Sequence, residues 1–146
     1  MIEINNLTTS KINKVFLKEV SQKVLKKEKK ENSSLSIALI GSARMRKLNK
    51  KYRGKNRSTD VLSFIENLDF LGKSKELKKL DILGEVVICV SDVKKNAKRL
   101  NISFKKELAR VLIHGILHIL GYDHEVSESK AKAMREKEDY YLSNIF

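Results

Sequence analysis

The first six residues, Met1–Asn6, alternate apolar and polar side chains, the two-residue period of a half-buried strand. The period then changes. Ile12, Val15, Phe16, Val20 and Val24 recur at helical spacing and predict an amphipathic helix that Ser10 can cap. Leu35, Ile37 and Leu39 return to alternation, a second strand ending near Gly41, after which Ser42 can cap a short basic helix reaching about Lys51. Val61–Ile65 is a strand candidate. Gly84–Val90 is a stronger one, apolar on both faces and so expected to be central in its sheet. Between them, Asn67–Lys79 carries mixed charge with little periodicity and reads as a loop or excursion. Ser91 or Asp92 begins another helix, Ser103 with Lys106-Glu107 starts a long one, and Glu125–Leu142 closes the chain as an amphipathic helix. No repeat, linker or composition break divides the chain. The pattern predicts one compact α+β domain over residues 1–146, with a roughly four-stranded mixed sheet packed by about five helices.

Composition agrees with a globular domain: hydrophobic residues are 41% of 146 and aromatics 6%, enough to bury a core without staples. The single cysteine, Cys89, sits in the apolar run Val86–Val90 and reads as a small core hydrophobe. With no internal disulfide possible, no signal peptide and no apolar run near 18 residues, the expectation is a cytoplasmic protein without a membrane span. Charge adds more. Lysine and arginine number 31 against 18 acids, a formal net charge of +13 that favours a polyanionic partner. Eight cations lie between Arg44 and Arg57 and six between Lys94 and Lys106, with no acid in either tract, whereas Glu125–Asp139 mixes signs like an ordinary exposed helix.

All three histidines fall in one window, His114-Gly-Ile-Leu-His118-Ile-Leu-Gly-Tyr-Asp-His124. Four residues apart on a helix, His114 and His118 share one face. Gly121 can end that helix in a left-handed conformation and let the chain double back, bringing His124 to the same point. Three imidazoles with an open fourth position describe a catalytic zinc site with one Zn²⁺ per chain, on a metalloprotease-like zinc helix. The spacing matches the metzincin pattern H-E-x-x-H-x-x-G-x-x-H with one difference: Gly115 stands where a metzincin has its general base. The downstream methionine turn is also missing, because Met134 falls inside the closing helix.

The same window resembles the H-G-x-L-H-x-x-G-Y-D-H signature of the YbeY family, bacterial rRNA maturation factors described as metal-dependent endoribonucleases. Asn49–Phe64 resembles that family's second block and Leu83–Cys89 its third, in the family's order. Ser58 and Ile65 stand where the family usually has proline, a difference of local backbone geometry. The resemblance implies that His114, His118 and His124 hold zinc and that Arg53 is the functional arginine. On the residues alone, Arg53 is one of eight cations, though a guanidinium in a glycine-containing turn can clamp a phosphate through two hydrogen bonds. Lys47, Lys50, Lys51, Lys55 and Arg57 are candidate RNA contacts. Asp60 and Ser63 read as supporting or capping groups, Tyr122 as packing, and Asp123 either orients an imidazole or turns the loop.

The residues point to a metal and a polyanion, and the resemblance implies a zinc-dependent, single-strand-specific endoribonuclease acting in 16S rRNA 3′-end processing and ribosome quality control. Its partners would be rRNA, ribosomal particles and ribosomal or assembly proteins, with no DNA and no membrane. Two alternatives stand beside it: a zinc hydrolase of other specificity, protease-like, and a non-catalytic RNA-binding assembly factor.

Overall fold

In the computed structural model, which describes residues 1–65, 82–123, 125 and 127–146, the expected α+β architecture is present. The strands are β1 (Ile2–Asn6), β2 (Ser34–Ile40), β3 (Val61–Ile65) and β4 (Ile82–Cys89), in the spatial order β1-β2-β4-β3. β1–β2 and β2–β4 are parallel and β3–β4 is antiparallel, so the sheet is mixed and β4 is central, as its apolar run implied. The helices are α1 (Lys14–Lys27), α2 (Ser42–Arg53), α3 (Val90–Leu100), α4 (Phe104–Ile119) and α5 (Glu128–Ile145). The excursion expected at Asn67–Lys79 lies outside the described residues. No described helix is long and apolar enough to cross a membrane.

Strand alternation divides the core in two. Ile37, Leu39, Val86 and Ile88 face a large cluster with α1, α4 and α5; Ala38, Ile40, Val87 and Cys89 face a smaller one completed by Met45 of α2 and Leu62 of β3. Cys89 is fully buried in that second cluster. α4 is the hub: it packs on α1, α3, α5, β3 and β4. It lies close to the sheet at Gly115, where an added Cβ would lie 2.7 Å from Val86 Cγ1.

Four helix starts differ from the expected ones. α3 starts at Val90 rather than at Ser91 or Asp92. Asn13, not Ser10, caps α1, accepting from the Phe16 N–H at 3.0 Å. Ser10 is held instead in a turn around Asn6 and Thr8 and accepts from Lys94 Nζ at 2.9 Å. The later start turns Val15 out to solvent at 67% exposure, and Leu17 and Leu25 take the buried positions. Ser42 is the first residue of α2 rather than its cap, which is Gly41 with no side-chain bond. α5 starts at Glu128 under a Ser127 cap, three residues later than expected, because Asp123 first turns the chain by accepting from the Glu125 N–H at 2.8 Å. Ser103 caps α4 as expected, accepting from the Lys106 N–H.

Candidate active site

The C-terminal end of α4 is shaped by two bonds that only a left-handed residue allows. The Gly121 N–H donates to His118 O at 3.2 Å and the Tyr122 N–H to Leu117 O at 3.1 Å, with Gly121 at φ +104°. This paired closure releases the chain sharply after His118. His114 and His118 lie one turn apart on the face of α4 that borders a cleft of about 440 Å³. His124, the third histidine of the motif, lies outside the described residues. Among the described residues, no three His, Cys, Asp or Glu side chains are grouped to hold a metal ion.

The opposite wall is basic. α2 ends at Gly54, whose φ of +69° reverses the chain, and the Asn49 side chain fastens the returning segment by donating to Arg57 O at 2.9 Å. The turn therefore puts Arg53, Lys55 and Arg57 on the same cleft as His114 and His118. Lys47, Lys50 and Lys51, also exposed, do not border it. The floor is β3 with the residues before it. There Ser63 Oγ donates to the Gly115 carbonyl at 2.9 Å, tying the strand to the histidine helix. Asp60 is at the same edge, its carbonyl accepting from the Cys89 N–H at 2.8 Å. Burial pushes its carboxyl above the ordinary 3.8, against the opposing pull of Arg110 and His114. Ser58, where proline was the family's residue, donates to Asp92 Oδ2 at 2.8 Å and so joins the turn to α3.

Sequence reasoning passed over Glu138. Its carboxylate meets Nδ1 of His114 across the α4–α5 interface, with its side chain 12% exposed. The signal was present: Met134, Glu138 and Tyr141 form an i, i+4, i+7 stripe whose two apolar members are buried. On α4, Arg110 and Glu107 lie one and two turns before His114, on the same face. Arg110 donates Nε and Nη2 to the two Glu107 oxygens at 2.6 and 2.7 Å, and this pairing raises the guanidinium pKa. Tyr122 does more than pack: its hydroxyl donates to Glu28 Oε1 at 2.6 Å, while Tyr141 and Lys137 donate to Oε2. One carboxylate thus ties the end of α1 to α5 and to the turn that follows the histidine helix.

The family model described as endoribonuclease YbeY matches residues 3–145. An endoribonuclease YbeY of Sulfurihydrogenibium sp. (strain YO3AOP1) is 40% identical over 145 residues, covering 99% of this chain and 91% of that one. That of Thermodesulfovibrio yellowstonii is 44% identical over 143 residues, covering 93% and 85%. The solution structure of a Thermotoga maritima protein superposes with a TM-score of 0.67 at 34% identity, over 99% of this chain and 89% of the other. Sequence and fold agree across nearly the whole length, and the chain belongs to the endoribonuclease YbeY family.

Proposed function

We propose that this protein is a zinc-dependent endoribonuclease that cuts single-stranded RNA in the cytoplasm, in ribosomal RNA maturation and ribosome quality control. The observation that carries the reading is the sharing of one cleft by His114 and His118 with Arg53, Lys55 and Arg57. A cleft with imidazoles on one wall and cations on the other suits a phosphodiester, which needs charge neutralised while a bond to phosphorus is exchanged. The relatives are named for endoribonuclease activity.

The donor set fits zinc. With Nδ1 of His114 engaged by Glu138, Nε2 is the ring nitrogen that would hold a metal, and such carboxylate–imidazole pairs commonly orient zinc ligands. His118 is the second ligand and His124 the third. When bound, zinc supplies Lewis acidity and lowers the pKa of a water toward about 7. The chain supplies the rest. Arg53 clamps the reacting phosphate with its planar fork while Lys55 and Arg57 hold the backbone. Ser63 fixes the helix against the floor of the cleft through the Gly115 carbonyl. Gly115 itself faces Val86 and has no room for a side chain, so a peptidase glutamate has no place at this position. Ribosomal particles and assembly proteins are the partners this role implies.

The test is incubation of the zinc-loaded protein with a single-stranded rRNA fragment, beside the same fragment in duplex. Cleavage confined to the single strand, and lost in a folded His114→Ala variant, is expected. RNA binding without cleavage would favour the non-catalytic assembly factor instead.

A further inference from the structure

α1 and α5 leave between them a groove of about 580 Å³ that shares no lining residue with the cleft. Lys23, Lys26, Lys27 and Lys29 line one side, Tyr140 and Asn144 the other, and none of the eight residues around it is acidic. Tyr140 presents its ring at 44% exposure. That ring is braced edge-on by Tyr141, with centroids 5.2 Å apart and planes at 71°, and Tyr141 is buried and anchored through its hydroxyl to Glu28. The Asn144 side chain donates to the Tyr140 carbonyl at 3.0 Å, holding the last turns of α5. A neighbouring hollow shares Lys27, Tyr140 and Tyr141 with the groove and extends past Glu136 and Lys137 to Tyr122.

A second observation points the same way. α1 closes with the Lys29 N–H on Lys26 O at 3.1 Å and the Lys30 N–H on Leu25 O at 2.7 Å, which places Lys29 at φ +60°. Glycine is the residue that takes this position without strain. The fold instead keeps a lysine there, beside the three others in the groove, at the cost of the conformational freedom glycine would bring.

We infer that this groove is a second binding site for single-stranded RNA, in which the four lysines contact phosphates and Tyr140 stacks a base. A groove with largely apolar walls, Ile145 among them, four lysines and a rigid aromatic platform is the chemistry that takes single strands without reading sequence. It holds the strand beyond the stretch in the cleft and so rests on the endoribonuclease reading.

The experiment measures the affinity of the zinc-loaded protein for labelled oligouridines of about 20 and about 6 nucleotides by anisotropy, across a salt series. The variants are Tyr140→Ala, Tyr140→Phe, Lys29→Gly and the pair Lys23→Gln with Lys26→Gln. Tyr140→Ala is expected to weaken the longer strand by roughly tenfold, the loss of one stacked base, and Tyr140→Phe to retain it. The double lysine variant should flatten the salt slope by about 0.7 per lost phosphate contact. Lys29→Gly should raise the melting temperature while weakening the longer strand, a combination no unfolding artefact produces. Cleavage of the short strand should stay at the wild-type rate throughout. Wild-type affinity for the longer strand in every groove variant overturns the second site while leaving the cleft reading intact. Failure of the wild-type protein to bind or cut either strand overturns both.

Discussion

The carboxylate of Glu138 on α5 meets Nδ1 of His114 on α4, joining the two longest described helices at the edge of the cleft. A carboxylate on Nδ1 keeps the proton there and leaves the Nε2 lone pair to a metal. Glu138→Gln keeps the shape of the side chain and removes its charge. Zinc affinity, read by competition with a chelator of known affinity, should fall by about 10- to 100-fold with the melting temperature little changed. An unchanged affinity would mean that Glu138 only helps to pack α5.

At Gly115 the histidine helix lies against the sheet without room for a side chain. In Gly115→Ala the new Cβ meets Val86 Cγ1, Val61 Cγ2 and Ser63 Oγ, all within 3.3 Å. Overpacking of this kind should lower stability to urea by about 1–3 kcal/mol. Combining it with Val86→Ala removes the nearest obstacle, so the two changes should be coupled rather than additive. Strict additivity in the unfolding free energies would show that the helix shifts to make room.

Glu28 sets a pH dependence of stability. Burial raises its pKa, but bonds from Tyr122, Tyr141 and Lys137 together outweigh burial, and the carboxyl ends below its ordinary 4.5. A carboxyl depressed in the fold stabilises it fully above the unfolded value, and that contribution fades as pH falls through the lower folded value. The stability gap between wild type and Glu28→Gln should therefore be constant near neutrality and shrink below about pH 4.5. A gap independent of pH down to acid unfolding would remove Glu28 as an ionised tie.

Much of this organisation was legible in the chain. The consecutive apolar residues Val86–Cys89 belong to a strand covered on both faces, and β4 is central with Val86 and Val87 buried toward opposite clusters. Ser103 and Gly121 announce the limits of α4 because capping is local chemistry. The start of α1 was not legible, since Ser10 and Asn13 are both good caps. The choice between them was made by the turn around Asn6 and Thr8, which occupies Ser10. Nor was the difference between Arg53 and Lys50 legible from spacing. It depends on Gly54 reversing the chain and Asn49 holding the return, a tertiary effect that puts one cation on the cleft and leaves the other away from it.

That division gives a test of Arg53. Arg53→Lys keeps the charge and loses the planar fork, so cleavage should drop by about tenfold or more, the loss of a charged hydrogen bond at about 1.5–3 kcal/mol. Lys47→Gln and Lys50→Gln, away from the cleft, should weaken RNA binding only modestly, in a way that high substrate concentration rescues. If Arg53→Lys behaves like the two lysine variants, Arg53 is one surface cation among several.

The most direct measurement is a zinc titration of the chelator-stripped protein, with cleavage of a single-stranded RNA followed at each addition. Activity should be absent at the start, rise linearly with zinc and reach a plateau at about one equivalent per chain, with folded His118→Ala inactive throughout. Full cleavage by the stripped protein, or a His118→Ala variant that cuts like the wild type, would contradict a zinc centre built on the histidines of α4.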